Sequence, residues 1–234
     1  MKFFEYELKS DRLCMGERVK GGLLRPCCKT IRYSQITGAL REHFGFEEIH
    51  AVGHLIADSK HNIVNSLIYS PGDRFRSVSK IPLKIEFLTN VWGKVYVLKN
   101  HITERLFDPL HKFQIFMGAF RSKGFGRCKL RKIGEIDTED IPKDKNGGYM
   151  PGFLNTRIPL KPEDKEEYRE FIQIMKPTKF LMEKFGIREI LQAKVGYLFE
   201  PDEARVSGRY VIALFEGSKI IGPRFLIKGG SRNG

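Results

Sequence analysis

The chain has 234 residues, of which 41 are Lys or Arg and 28 are Asp or Glu, and its formal net charge is +13 at pH 7. An apolar share of 41% supports a hydrophobic core and excludes a disordered basic tail. No stretch approaches the roughly 18 consecutive apolar residues that a membrane span needs, so we expect a soluble, cytoplasmic protein with no membrane partner.

The first half of the sequence alternates strand and helix patterns. Residues 4–8 alternate apolar and acidic side chains, which predicts a strand, and a loop rich in Gly, Arg and Cys follows. Ser34 is the predicted N-cap of a helix that ends at Gly45. Further elements are predicted as strands at 51–57 and 65–69, an antiparallel hairpin at 81–99, a helix from Asp108 to Phe120 and a strand at 127–136.

The second half is less regular. Residues 137–160 are rich in Asp, Lys, Gly and Pro, which predicts a long loop or linker. A helix is expected to begin near Asp164 and run towards Met175, and a shorter helix to follow Pro177. Two strands, 189–199 and 205–215, are predicted to be joined by a turn at Pro201–Asp202, before a glycine-rich basic end.

The order strand, helix, strands, helix, strand indicates an α+β fold built on a βαββαβ, ferredoxin-like (RRM-like) unit. We predict this unit over residues 1–136 and a loop or linker over 137–160. A smaller second αβ region is predicted over 161–234, either a second ferredoxin-like unit or a degenerate one.

The cysteines and the charge narrow the possible functions. Cys14, Cys27, Cys28 and Cys128 include no C-x-x-C pair, so the sequence predicts reduced structural thiols and no metal site. The sequence has neither a Walker loop nor a dinucleotide fingerprint, and we expect no cofactor.

The cationic surplus favours binding to a polyanion, because each neutralised phosphate releases counterions. An inert basic surface is the alternative.

The strongest chemical signal is the segment from Phe120 to Arg131. Gly124 and Gly126 permit close approach of backbone amides to a phosphate, and Phe125 between them offers a face for base stacking. Cations at alternate strand positions share one face of the strand; they are Arg127, Lys129 and Arg131, with Lys123 in the loop before them. A glycine C-cap followed by a basic edge strand explains the same pattern.

A second basic segment runs from Gly21 to Arg41. Arg25, Lys29 and Arg32 precede the first predicted helix, whose N-terminal amides can hold a phosphate. Arg41 lies further along that helix, and Tyr33 is a second ring for base stacking. A surface loop leading into a short helix is the alternative.

Together these segments resemble the RAMP superfamily of CRISPR-associated proteins. Residues Ser34 to Arg41 are similar to the S-x-x-x-G-A-L-R helix start of that family, and residues 124–127 are similar to its glycine-rich loop. The two motifs stand in the family's order and bracket residues 1–136, and the glycine-rich end with Phe215–Gly217 is a looser second copy. The resemblance implies RNA binding by ferredoxin-like folds.

The resemblance implies two competing roles. One is a noncatalytic subunit of a type III (Csm- or Cmr-like) or related CRISPR effector complex, which caps the 5′ handle of the crRNA and has crRNA and other effector subunits as partners. The other is a metal-independent endoribonuclease of the repeat transcript, for which His43 is the candidate base. The nuclease resemblance calls for a glycine loop near the C-terminus, whereas the clear copy lies at mid-chain. We therefore favour the subunit.

The sequence thus predicts a crRNA-binding noncatalytic protein, with the endoribonuclease or a housekeeping RNA-binding protein as alternatives. No catalytic residue, metal or cofactor belongs to the favoured prediction. The predicted RNA-binding residues are Arg25, Lys29, Arg32, Tyr33, Arg41, Lys123, Gly124, Phe125, Gly126, Arg127, Lys129 and Arg131.

Overall fold

The structure, a computed structural model, describes residues 1–16, 23–70, 72, 81–201 and 208–228. In the first half the elements are β1 (Lys2–Leu13), β2 (Leu24–Arg25), α1 (Tyr33–Phe44), β3 (Ala51–Leu55), β4 (Ile63–Tyr69), β5 (Leu83–Leu98), α2 (His101–Phe107), β6 (Lys112–Phe116) and β7 (Arg127–Asp137). A 3₁₀ turn, Arg121–Lys123, precedes β7.

The first half confirms the ferredoxin-like prediction. β1 pairs antiparallel with β5 on one side and with β7 on the other, and β3 pairs antiparallel with β5. Strand order β3-β5-β1-β7, with α1 after β1 and α2 after β5, is the order of a βαββαβ unit. β4 and the two-residue β2 also pair with β5, and β6 extends the sheet beyond β7.

The predicted hairpin over 81–99 is wrong, because these residues form the single 16-residue strand β5. Its pairing with β1 continues through the predicted turn, where Ser10 lies opposite Val91 and Lys9 opposite Trp92. Two separate strands share its other edge: β4 pairs with residues 83–89 and β3 with residues 93–97. Tertiary pairing therefore decides the course of this segment.

The predicted helix from Asp108 to Phe120 is also wrong. The second helix, α2, ends before Asp108, and its N-cap is Asn100, whose side chain accepts hydrogen bonds from the backbone N–H groups of Ile102 and Thr103. Residues 112–116 form strand β6 against β7. The apolar residues of this segment fit the two-residue period of a strand as well as the helical period, since Ile115 is buried and the next residue, Phe116, is 46% exposed.

The first helix begins one residue before the predicted N-cap. Arg32 is the N-cap of α1, and Tyr33 donates its backbone N–H to the carbonyl oxygen of Arg157 at 3.0 Å. Ser34 therefore lies inside the helix, and the prediction that it is the N-cap is wrong. The predicted end at Gly45 is confirmed, with φ at 78° in the left-handed region.

The described residues of the second half form two helices and two small sheets. Its helices are α3 (Lys165–Ile174) and α4 (Lys179–Phe185), and its strands are β8 (Gly152–Phe153), β9 (Ile158–Pro159), β10 (Glu189–Gln192), β11 (Val195–Pro201), β12 (Gly208–Leu214) and β13 (Lys219–Ile221). The sheets have strand orders β10-β13-β8 and β11-β12-β9, and a 3₁₀ turn spans Arg224–Leu226.

Both predicted helices of this half are confirmed, and two other predictions need correction. Segment 137–160 contains β8 and β9 and buries Leu154 and Ile158, so it is more than a linker. The predicted strand 189–199 is two strands that belong to different sheets, β10 and β11. The turn residue Asp202 and the terminal residues 229–234 lie outside the described residues.

The core lies on both faces of the central sheet. One face packs against α1 and α2, where Phe4, Tyr6 and Leu8 meet Ile36, Leu40 and Phe107. Part of the opposite face packs on the second half: the ring centroids of Phe3 and Phe225 are 4.9 Å apart, and those of Tyr96 and Phe225 are 4.7 Å apart. In the described part of the chain, no helix is long and apolar enough to cross a membrane.

Candidate nucleic-acid interface

The central sheet has one face against α1 and α2, and the part of its other face that the second half leaves uncovered is open and basic. Along β7 the side chains of Cys128 and Leu130 are buried on the helix side, whereas those of Arg127, Lys129 and Arg131 are exposed on the other side. The predicted alternation of the three cations on one strand face is therefore confirmed. On the neighbouring β1, Lys9 lies opposite Lys129 in register.

These strands border a shallow groove of about 450 Å³, here called the sheet groove. Its polar lining residues are Glu7, Lys9, Lys112, Gln114, Lys129 and Arg131. Four cations therefore face a single carboxylate, which gives the groove a positive potential suited to phosphate groups.

Glu7 takes up part of this positive charge. Its carboxylate accepts hydrogen bonds from Arg131 Nη2 at 3.0 Å and Trp92 Nε1 at 3.1 Å, and Lys9 Nζ lies 3.3 Å away. Burial raises the pKa of this carboxyl, but the hydrogen bonds from Arg131, Lys9 and Trp92 outweigh that effect and lower the pKa below its ordinary value. Among the described residues, no carboxylate lies within ion-pair distance of Arg127 or Lys129, so these two charges are available to an external anion.

The glycine loop, residues 118–126, joins β6 to β7 and turns through positive φ angles. A Cβ on Gly126 would lie 2.2 Å from the carbonyl oxygen of Met117, and one on Gly118 would lie 2.5 Å from that of Cys14. These two glycines are thus needed for packing inside the protein. Gly124, at φ 81°, has no atom within 4 Å of a Cβ position, so a ligand can approach the loop backbone at this glycine.

The predicted stacking role of Tyr33 and Phe125 is wrong for this structure. Tyr33 is 2% exposed and meets the rings of Phe180 and Phe185 edge-on. Phe125 is 7% exposed and packs against Phe87, with ring centroids 5.0 Å apart. Neither ring offers a face to a base, because each belongs to a hydrophobic cluster.

The remaining predicted cations are not brought to one place. Arg41 lies near the C-terminal end of α1, where it pairs with Glu47 and donates to the carbonyl oxygen of Ile49. Arg25 lies on β2, and the exposed Lys29 borders a different groove, of about 870 Å³, with Lys194 and Lys228. Lys123 is exposed on the glycine loop.

Arg32 and Arg121 border a third depression, a cleft of about 540 Å³ between α1 and the β11–β12 hairpin, here called the α1 cleft. Nη2 of Arg32 donates to the carbonyl oxygens of Met15 and Gly16 at 3.2 and 2.9 Å, which fixes the guanidinium at the helix start. The far wall of the cleft carries Tyr197 and Tyr210, which are not among the residues predicted from the sequence. The signal that could have found it is the recurrence of aromatic residues at alternate positions of β11.

His43, the nuclease candidate, is exposed in the last turn of α1, next to the rings of Phe44 and Phe113. The histidine that meets Tyr33 is His50, whose Nδ1 lies 2.6 Å from the tyrosine hydroxyl oxygen. Burial, with help from nearby cations such as Arg41, lowers the pKa of His50 to about 4. The tyrosine–histidine pair is therefore neutral at physiological pH.

The chain shares its fold over most of its length with chains of known structure. A chain of a type III-B Cmr-beta complex bound to cognate target RNA, determined by cryo-EM, matches with a TM-score of 0.54 and 12% sequence identity over 93% of this chain and 86% of that chain. A chain of the Cmr-beta complex bound to cognate target RNA and AMPPnP matches with a TM-score of 0.56 and 11% identity over the same shares. No protein-family profile matches the sequence, and no curated protein matches it significantly. At such low identity the likeness establishes the fold alone, an α+β architecture that contains a ferredoxin-like unit.

Proposed function

We propose that this protein is a noncatalytic, crRNA-binding subunit of a CRISPR effector ribonucleoprotein, with other effector subunits as its partners. The observation that carries the proposal is the sheet groove, where four cations, Lys9, Lys112, Lys129 and Arg131, line the same surface as a single carboxylate. The shared fold supports it, because both solved neighbours come from Cmr-beta complexes bound to target RNA. The two RAMP-like sequence motifs point in the same direction.

In this proposal the sheet groove and the glycine loop hold the phosphates of the repeat-derived 5′ handle. Arg127 and Lys129 supply the strongest contacts, because no carboxylate of the described residues neutralises them. Arg131 contributes less, since its guanidinium is already bound by Glu7. Gly124 leaves room for a phosphate beside the loop backbone. Such contacts give affinity that falls steeply with salt concentration.

The first experiment separates binding from cleavage. Purified protein is incubated in EDTA with end-labelled CRISPR-repeat RNA, and the same samples are run on native and denaturing gels. A shifted but intact RNA is the expected result. A single cut that disappears in His43→Ala would establish the endoribonuclease instead. No shift would overturn RNA binding by the isolated protein, and equal binding of unrelated structured RNA would favour a housekeeping role.

The second experiment tests the site. We expect the triple variant Lys123→Ala, Arg127→Ala, Lys129→Ala to bind repeat RNA about ten- to hundredfold more weakly, with a salt slope reduced by about 2, because three phosphate contacts are lost. The matched control removes three exposed cations elsewhere, Lys145→Ala, Lys165→Ala and Arg169→Ala. If both variants bind alike, net charge alone carries the affinity and the site assignment is wrong.

A further inference from the structure

The α1 cleft combines two features that the sheet groove lacks, namely exposed aromatic rings and an enclosing wall. One wall is the β11–β12 hairpin, with Tyr197, Leu198, Phe199 and Tyr210. The opposite wall is the N-terminal half of α1 together with the glycine loop. The volume of the α1 cleft, about 540 Å³, lies in the range of pockets that hold small organic groups.

The aromatic wall is anchored from behind and open in front. Leu198 of β11 is 2% exposed, and Leu214 of the paired strand β12 belongs to the core shared with the central sheet, so the hairpin is held in place. Tyr197 is 68% exposed and Tyr210 is 55% exposed. Tyr210 lies opposite Phe199 in the ladder, with ring centroids 5.5 Å apart. The packing of the protein thus leaves both tyrosine rings with a large uncovered surface.

The side chains at the centre of the helix wall are small. Gly38 is exposed and has no atom within 4 Å of a Cβ position, and Ala39 follows it. Small side chains here leave space between the helix and the hairpin. A planar group that enters the cleft can therefore reach the tyrosine rings without displacing a helix side chain.

Arginines surround this space and are held in fixed positions. Arg157 forms a two-point ion pair with Glu216, at 2.6 and 2.8 Å, and its guanidinium lies 4.3 Å from the ring centroid of Phe215. Arg121 pairs with Glu42 at 2.9 Å. Arg32 is the third arginine, and Glu42 is the one carboxylate among the lining residues. Carboxylates pair with Arg157 and Arg121, so the net positive charge beside the aromatic wall comes mainly from Arg32.

We infer that the α1 cleft holds one or two unpaired bases of single-stranded RNA, stacked on Tyr197 and Tyr210, with the adjoining phosphates near the arginines. Exposed aromatic rings beside fixed cations are the means by which proteins bind unstacked bases. The inference rests on the proposed function, since it requires that the chain binds RNA. In this inference the stacking residues are Tyr197 and Tyr210 and not the buried Tyr33 and Phe125.

The test compares an aliphatic and an aromatic replacement. The double variant Tyr197→Leu, Tyr210→Leu is expected to bind single-stranded repeat RNA about 5- to 150-fold more weakly for each stacked base, with an unchanged salt slope. The variant Tyr197→Phe, Tyr210→Phe retains the rings and is expected to bind like the wild type. Tyr149→Leu, which removes an exposed tyrosine outside the cleft, is the matched control.

An abasic scan of the RNA locates the stacked bases. Removing one base at a time should weaken wild-type binding at one or two positions, and at those positions the leucine variant should lose nothing further. If the leucine variant binds as tightly as the wild type, or if no position shows this coupling, the cleft does not hold a base. The proposed function would still stand in that case, provided that the triple cation variant loses affinity. If the wild type binds no RNA, the proposed function itself fails.

Discussion

At the scale of single residues, the buried His54 and the half-buried His50 are both neutral at physiological pH. His54 lies on β3, stacks on Tyr96 and has a buried Nδ1 without a hydrogen-bond partner among the described residues. Burial, followed by the charge of Lys94, lowers the pKa of His54 to about 4. His50 has a similar value for the same main reason. Both histidines therefore take up a proton more readily in the unfolded chain.

The sign of the pH dependence follows from these values. An unfolded histidine titrates near about 6.5, so between that pH and about 4 the unfolded state binds more protons and the free energy of unfolding falls as the pH falls. We expect a loss of up to about 1.4 kcal/mol per pH unit for each histidine. Denaturant titrations at several pH values between 7 and 5 measure this slope. His54→Gln should remove about half of it, and an unchanged slope in that variant would contradict the assignment.

The cations of β7 are predictable from the sequence and the exposure of the aromatic residues is not, for a physical reason. Strand alternation fixes which side chains share a face, so Arg127 and Lys129 could be assigned together. Whether a ring is covered depends on distant chain segments. Phe125 is buried by Phe87, and Tyr33 by Phe180 and Phe185, which no local pattern reveals.

At the scale of elements, two glycines of the glycine loop are expected to differ in how much an alanine substitution destabilises the protein. Gly124 and Gly126 both have φ at 81°. We expect Gly124→Ala to cost about 1–2 kcal/mol of the free energy of unfolding, the usual penalty for the left-handed region. Gly126→Ala adds a clash with the carbonyl oxygen of Met117, and we expect it to cost more than about 3 kcal/mol.

Urea titrations of the two variants provide the comparison, and each variant serves as the control for the other. Equal destabilisation would show that the loop shifts to accept the extra methyl group at Gly126. The same pair bears on binding, because a substitution at Gly124 narrows the open approach to the loop backbone. The loop thus has a packing glycine and an accessible one.

At the scale of the whole molecule, the two halves share a core. Phe225 contacts Phe3 and Tyr96, which belong to the central sheet, and is itself 3% exposed. We expect Phe225→Ala to lower the free energy of unfolding by about 3–5 kcal/mol, since it removes a large buried ring. Phe153→Ala, at a ring that is 53% exposed, is the control and should change it by no more than about 0.5 kcal/mol.

The same contact makes the predicted domain boundary testable. A fragment of residues 1–136 would uncover Phe3 and Tyr96, and we expect it to be less stable than the full chain and prone to aggregate. Separate unfolding transitions of the two halves in Phe225→Ala would favour independent domains. A single shifted transition would show that the halves unfold together.

The sequence by itself determined the alternation on β1 and β7, the end of α1 at Gly45 and the two helices of the second half, and it predicted the βαββαβ order with the second helix misplaced. These depend on local periodicity and on capping residues, which short segments carry within themselves. Only the tertiary structure decided that residues 83–98 form one strand, that residues 112–116 join the sheet, and that Tyr197 and Tyr210 face α1 across a cleft. Such features depend on which distant strands pair and which faces are covered, and the free energy of those contacts outweighs local propensity.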